Sequence, residues 1–436
     1  MKAFIYVIAA LSLLLSTVSH ALLLNIAPES VAAEAWIILD PQSGQVIAEH
    51  NSHFQRAPAS MTKMMVAYIA LQEIAAGRLS KNEIITATPV VNEVQWDESQ
   101  MHLKPGDKIS IDQLLAGLIV MSANDAALTL AERISGNVPA FVKRMNDEAQ
   151  RLKMTDTHFA NPAGITMPDH FSSAYDMALL GQAVTMQTPA YLHYSIMPSF
   201  SYNQHFHRAT NLALKFDPSV DGLKTGFTHA AGYNLALTAH RPNADINLPE
   251  RRLIVVVMGT KNALKRAEVA HNLLDLAYTY TRNEVVLKDK QLIGELPVIK
   301  STLKIFKIET NQEKWVTTSL YNHTQPIDLN SYHANSQRIV VTLDGKTSTI
   351  EPLQQTHTNL SVQLNENKLT APLAQVMKLA TISVYQNNQL LKTIDIEQDV
   401  NIIEANFFER ILMWLSNLFS FSSHNQPVVK TYPLQS

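Results

Sequence analysis

The run Leu253-Ile254-Val255-Val256-Val257 constrains this chain more than any other stretch. It is an unbroken aliphatic segment in which Ile254 to Val257 are all β-branched, so it reads as a central strand with no polar face. Such a strand cannot meet water on either side and needs cover on both. The neighbouring sequence supplies the material. Ala35–Asp40 and Gln45–Ala48 flank Pro41-Gln42-Ser43-Gly44, which predicts a β-hairpin. Gly232–Ala239 is a further strand. Ser60–Ala76 has the periodicity of a buried helix that stops at Gly77, and Lys261–Thr281 is helical. Three more helices announce their starts. Ser110 and Gln113 form a capping box before Ile111–Met121, Asn137 caps Val138–Leu152, and Ser173 with Asp176 precedes Met177–Val184. Hairpin, helices, strands and a last helix predict an α/β (α+β) layer, one sheet covered by helices.

The pattern changes near Asn283. From there to about Asp399 the chain reads as short strands and turns. Arg338–Leu343 runs into Asp344-Gly345, and Thr381–Tyr385 is joined to Leu390–Ile396 through Asn387-Asn388. With 436 residues the chain has room for two domains. The expected division is a larger unit over 28–283 and a smaller all-β unit over 284–399.

Both termini point to a membrane. Met1-Lys2 precedes an almost wholly apolar Ala3–Val18, and Ser19-His20-Ala21 supplies small residues at the cleavage positions. That layout predicts a signal peptide over 1–21 and an exported protein. A second cluster of small residues, Val31 to Ala35, leaves the cut itself open. Near the other end, residues 400–422 read as a helix with a narrow polar stripe (Glu404, Asn406, Glu409, Arg410, Asn417) and a broad apolar face rich in Phe, Leu and Trp. A spanning helix would bury those charges at about 2.5–3.5 kcal/mol for an Arg at its centre, so a helix lying in the membrane interface is expected. The tail 423–436 reads as disordered.

Composition closes several routes. The formal net charge is -3 and the Lys and Arg residues are scattered, which argues against a nucleic-acid partner. The chain has no cysteine, which removes disulfides, thiolate metal sites and a cysteine nucleophile together. His205-Phe206-His207 would place two rings on one face of a strand, but the sequence offers no third ligand, and no metal or cofactor is expected.

Three short motifs carry chemistry. In Ser60-Met61-Thr62-Lys63 the hydroxyl and the amine share a helix face. A serine is a poor nucleophile until a base takes its proton, and a lysine becomes that base when its pKa is lowered. A helix N-terminus does this, because its dipole disfavours a cation. A capping box at this place would want Glu or Gln where Lys63 stands. Ser122-Ala123-Asn124 falls between two helices, and Ser122 with Asp125 also matches a capping box. Lys224-Thr225-Gly226 enters a strand, with cation and hydroxyl suited to a carboxylate and a glycine that admits substrate backbone.

In that order, on helix, loop and strand, these motifs resemble the penicillin-binding-protein and serine β-lactamase superfamily. The wider context is similar to the low-molecular-weight D-alanyl-D-alanine carboxypeptidases, the peptidase S11 type. It includes Arg56–Met65, Met121–Ala126, Phe171–Asp176, Val220–Gly226 and, in the terminal helix, Asn406-Phe407-Phe408. The resemblance covers nearly the whole mature chain. It implies a transpeptidase-like catalytic domain followed by the β domain and a membrane anchor. It implies that Ser60 attacks the bond between the last two D-alanines of a peptidoglycan stem peptide, that Lys63 accepts its proton, and that Ser122, with Lys224 nearby, protonates the leaving D-alanine. Asn124 would hold the substrate amide, and Thr225 with Arg252 the terminal carboxylate, Arg251 being the adjacent alternative. The backbone N–H groups of Ser60 and Phe227 would form the oxyanion hole, and Gly226 would pack against substrate. β-Lactams would acylate Ser60, at the outer face of the inner membrane.

One departure stands out: the family often has His after Lys-Thr-Gly, and this chain has Phe227. Rival readings are a D,D-endopeptidase, a class A β-lactamase, for which no Glu-x-x-x-Asn element is found, and a slowly turning-over binding protein that shapes the wall.

Overall fold

A computed structural model describes residues 22–243, 248–333, 338–343, 346–354, 356–419 and 426–429. The expected signal peptide, the Asp344-Gly345 turn and most of the tail lie outside the described residues.

The hairpin forms as expected, β1 (Ala35–Asp40) with β2 (Gln45–His50). A 3-10 turn over Ala59–Thr62 leads into α1 (Lys63–Ala75). The short strands β3 (Ile84–Thr86) and β4 (Lys108–Ser110) bracket a long loop. After them come α2 (Ile111–Ala116), α3 (Asn124–Ser135), α4 (Val138–Arg151), α5 (Ala174–Gln187) and α6 (Tyr191–Ser195). The Ser110–Gln113 capping box is complete, and Asn137 and Ser173 each accept a backbone N–H at their helix starts. A small hairpin, β5 (Ser199–Tyr202) and β6 (His205–Arg208), precedes the long strands β7 (Val220–Thr228), β8 (Gly232–Arg241) and β9 (Arg251–Thr260), and α7 (Ala263–Tyr280) closes the unit.

The main sheet runs β2-β1-β9-β8-β7, antiparallel throughout. Its centre explains the aliphatic run. Side chains alternate across a strand, so Ile254, Val256 and Met258 of β9 enter a core with α1, α2, α3 and α5, while Leu253, Val255 and Val257 enter a second core with α7. β1 divides the same way, Ala35, Ile37 and Leu39 against Trp36 and Ile38. Each such side chain, fully buried, contributes about 1.5–3 kcal/mol, which makes this strand pair the hub of the fold.

The β unit starts without a linker. β10 (Thr281–Leu287) leaves α7 directly and is followed by β11 (Leu292–Ile299), β12 (Ile305–Glu309), β13 (Lys314–Ser319), β14 (Tyr332–His333), β15 (Arg338–Leu343), β16 (Lys346–Ile350), β17 (Thr358–Leu364), β18 (Leu369–Thr370), β19 (Leu373–Gln386) and β20 (Gln389–Ile402). β19 and β20 are longer than the sequence pattern implied and turn at Asn387 and Asn388, both in the left-handed region with φ 51° and 64°. The unit joins the second core, and Gln45 exchanges hydrogen bonds with the Thr317 backbone at 3.2 and 2.8 Å.

Two expectations at the C-terminus change. The terminal helix, α8, spans Phe407–Phe419 and begins later than residue 400, because Asn401 and Ile402 complete the ladder with β19. Its true start is a cap in which Asn406 accepts from Glu409 N at 3.0 Å and Glu409 accepts from Asn406 N at 2.7 Å. Within the tail expected to be disordered, Val428–Val429 forms a strand, β21, paired antiparallel with Gly294 and Glu295 of β11.

Candidate active site

Ser60 lies on the 3-10 turn, and Lys63 is the first residue of α1. A 3-10 helix has three residues per turn, so residues i and i+3 eclipse. The tighter turn aligns hydroxyl and amine more closely than an α-helix would, and Lys63 Nζ donates to Ser60 Oγ at 3.0 Å. Lys63 also donates to the Ala163 carbonyl. The amine is wholly buried, and burial holds its pKa well below the ordinary lysine value, with the nearby Lys224 charge adding to the effect. Beneath it, Thr62 Oγ1 meets His170 Nε2 at 2.9 Å while His170 Nδ1 accepts from Ala160 N at 3.0 Å. Burial brings His170 down to about 4, so this support stays neutral at physiological pH.

Ser122 does not cap α3. That role falls to Ala123, which makes no side-chain cap, and the Asp125 carboxylate instead accepts from Met101 N and Leu103 N, each at 3.0 Å. α2 widens into a π-turn over Gly117–Met121, and Ser122 follows it in the left-handed region at φ 63°. A non-glycine residue held there is strained. The result is a hydroxyl aimed at β7, where Lys224 Nζ donates to Ser122 Oγ at 3.0 Å and to Thr225 O at 3.1 Å. Lys224 is buried too, and burial, with Arg266 second, lowers it to about 7. Two hydroxyl–amine pairs of equal length thus share one pocket.

Gly226 lets β7 close on the nucleophile. A Cβ there would stand 2.8 Å from Pro58 O and 3.1 Å from Ser60 N. Gly164, at φ 84°, approaches the same backbone from the opposite loop. The Ser60 N–H therefore opens beside the β7 edge that carries Phe227. The Phe227 ring is exposed and tilts against Tyr233 at 4.3 Å. Asn124 is buried, and its Nδ2 donates to Glu98 Oε2 at 2.5 Å.

Arg252 is not brought to this pocket. It pairs across β8 with His240, far along the strand from the Lys224–Ala236 pair, and its guanidinium is engaged by Asp221 at 2.7 and 2.8 Å. Arg251 points to Asp40, 3.0 Å away. The cation that does stand beside the third motif is Arg266 of α7. It donates to Thr210 O at 3.1 Å, Asn234 O at 3.3 Å and Gly226 O at 3.4 Å, and Thr210 in turn hydrogen-bonds the Thr225 hydroxyl. Its Nε is buried without a partner, and burial lowers its pKa to about 10. Nothing in the sequence singled it out, since it lies forty residues beyond Gly226 on another element. The His205 ring lies tilted against His102 with centroids 4.4 Å apart, and among the described residues no group of three or more His, Cys, Asp and Glu could hold a metal.

A serine–lysine pair on a short helical turn, a second serine–lysine pair and a β-strand edge closing the pocket define a serine-type peptidase of the penicillin-binding-protein fold. The sequence profile of the peptidase S11 family, D-alanyl-D-alanine carboxypeptidase, matches residues 24–262, and the chain belongs to that family. D-alanyl-D-alanine carboxypeptidase DacD of Salmonella typhimurium is 36% identical over 295 residues, 66% of this chain and 74% of that one. DacC of Escherichia coli is 30% identical over 387 residues, covering 88% and 87%. Among solved structures, penicillin binding protein 5 from Haemophilus influenzae aligns with TM-score 0.71 at 26% identity, over 87% of this chain and all of the other. Penicillin binding protein 6B from Escherichia coli aligns with TM-score 0.62 at 28% identity. The protein is a serine-type D-Ala-D-Ala carboxypeptidase, and the β-lactamase reading falls away.

Proposed function

We propose that the enzyme trims the terminal D-alanine from peptidoglycan stem pentapeptides through an acyl-enzyme on Ser60. The carrying observation is the 3.0 Å contact of Ser60 Oγ with a buried amine whose pKa burial depresses. Ser60 Oγ attacks the carbonyl carbon between the last two D-alanines as its proton passes to Lys63 Nζ. The N–H groups of Ser60 and Phe227 hold the oxyanion, donors of a kind that contribute about 2.7–4 kcal/mol each. The C–N bond breaks as the Ser122 proton reaches the leaving amine, with Lys224 stabilising the hydroxyl that loses it. Water then adds to the ester. Its hydroxyl stays on the released carboxyl, and its proton, with the one stored on Lys63, restores the two serines. Asn124 holds the substrate amide. Thr225 binds the terminal carboxylate, and Arg266 takes the part expected of Arg252, because it is the cation beside Thr225. β-Lactams, which mimic D-Ala-D-Ala, acylate the same serine.

The export signal and α8 together argue for a protein tethered at the outer face of the inner membrane. Phe407, Phe408, Leu412 and Trp414 are 73%, 77%, 65% and 64% exposed, an apolar surface suited to lipid. Among the described residues no helix is long and apolar enough to cross a membrane. Fluorescent penicillin and a D-Ala-D-Ala pentapeptide test the mechanism. Wild type labels on Ser60 and releases D-alanine, and Ser60→Ala does neither. Continued D-alanine release by Ser60→Ala would end this reading.

A further inference from the structure

Asn124 has a partner that no motif announces. Glu98 sits in the long loop between β3 and β4, half-buried, with its carboxylate on Asn124 Nδ2 at 2.5 Å. The loop is fastened to the very turn of α3 that carries Asn124. Asn124 N donates to Ser99 O at 2.7 Å, Asp125 takes Met101 N and Leu103 N at 3.0 Å, and Glu98 N closes on Gln95 O at 3.1 Å. The carboxylate therefore arrives at the amide on a backbone whose register is set by the same helix end.

An asparagine amide offers a donor at one end and an acceptor at the other, and reversing it changes what it can bind. An ionised carboxylate only accepts, so it receives Nδ2–H and repels Oδ1. With Glu98 present, one Nδ2 hydrogen is committed, and the second hydrogen and Oδ1 are offered to the site in a single orientation. The same carboxylate brings negative charge to the pocket. Four groups face Lys63 from separate elements. Lys224 of β7 disfavours its protonation, Glu98 of the loop and Asp125 of α3 favour it, and His170, neutral, lies below. Asp125 is spent on backbone N–H groups, whereas Glu98 has one partner in the pocket and is the closer match to an adjustable charge.

We propose that Glu98 is a positioning residue of the active site, which locks the Asn124 amide in its substrate-binding orientation and supplies a counter-charge to the serine–lysine pair. The inference rests on the acyl-enzyme reading of Ser60. Glu98→Gln keeps an acceptor oxygen for Nδ2 and removes the charge, while Glu98→Ala removes both. In Glu98→Ala, KM for a D-Ala-D-Ala pentapeptide rises about three- to tenfold, as expected for loss of one charge-assisted hydrogen bond. The acid limb of kcat/KM moves to lower pH by roughly half a unit or more, because Lys63 loses a neighbour that favoured its protonated form. Glu98→Gln restores KM to within about twofold yet keeps the pH displacement. A wild-type KM and an undisplaced acid limb in both variants overturn the proposal. So does a fall in kcat that tracks a lowered melting temperature with no displacement, which would reduce Glu98 to loop closure; the near-isosteric Glu98→Gln keeps the test open if Glu98→Ala does not fold. Labelling by fluorescent penicillin is followed in parallel. Its absence from wild type would defeat the Ser60 reading itself, whereas labelling retained in all three proteins confines the result to Glu98.

Discussion

Lys63 and Lys224 show how little a residue type says before its surroundings are known. Each is an ordinary lysine in sequence, and each loses its usual basicity for the same leading reason, removal from water, with a second cation close by. Charge on Lys224 further lowers Lys63, so the basicity of the catalytic amine depends on its neighbour as well as on burial. The arginines make the same point. Arg252 has the bidentate carboxylate partner of a structural residue, and Arg266 has a buried Nε without a partner, one residue removed from Thr225 through Thr210. Arg266→Ala is expected to raise KM for the pentapeptide by about tenfold or more, the worth of a charged hydrogen bond to a carboxylate. Arg252→Ala is expected to leave KM near wild type and to lower the melting temperature instead. Steady-state kinetics with thermal melts separate the two, and the opposite assignment of effects would return the carboxylate to Arg252.

At the level of elements, the site is a contact between the 3-10 turn that carries Ser60 and the edge strand β7. β7 is the last strand of the sheet order, so one of its edges is free to face the turn. Gly226 makes the approach possible, since a side chain there would meet Pro58 O at 2.8 Å. Gly226→Ala should push the strand from the turn and move the Phe227 N–H off the oxyanion. Loss of one such donor lowers kcat by about 10²–10³. The measurement is the rate of fluorescent-penicillin acylation beside a melt; acylation at wild-type speed would show that β7 does not supply the donor. The left-handed Ser122 belongs to this scale too. Its hydroxyl reaches Lys224 because a π-turn ends α2 in place of a continuous helix, and a capping role at α3 would have turned it away.

Across the whole molecule, one sheet serves two cores. The face covered by α1, α2, α3 and α5 adjoins the site, and the other face is shared by α7 and the β unit. The β unit cannot be cut away without exposing that second face. The terminal helix can, because it starts only after the ladder ends at Ile402, and Phe407, Phe408, Ile411, Leu412, Trp414 and Leu415 are already exposed. Deletion from Asn406, which removes α8 and the two-residue β21 pairing on β11, should therefore release the protein from membranes while leaving D-alanine release and penicillin labelling intact. Fractionation and activity of the truncated protein check it, and membrane retention undiminished by the deletion would refute an anchoring role for α8. A cut at Asn401 would be a poorer test, since it removes Asn401 and Ile402, the last rungs of β20.

Local signals and spacing were enough for much of this. The aliphatic run at β9, the Ser110 and Asn137 caps, the Asn387-Asn388 turn and the ordered motifs around Ser60, Ser122 and Lys224 are all written in neighbouring residues, because periodicity, capping and backbone preference act over a few positions. What sequence pattern could not decide was which distant groups meet. The placement of Arg266 beside Gly226 and of Arg252 on Asp221, the Glu98–Asn124 contact, the 3-10 form of the Ser60 turn and the strand that draws the tail back to β11 depend on how the sheet and helices stack. Long-range packing, not local propensity, sets those distances, and it is at those distances that the charges of the site take their values.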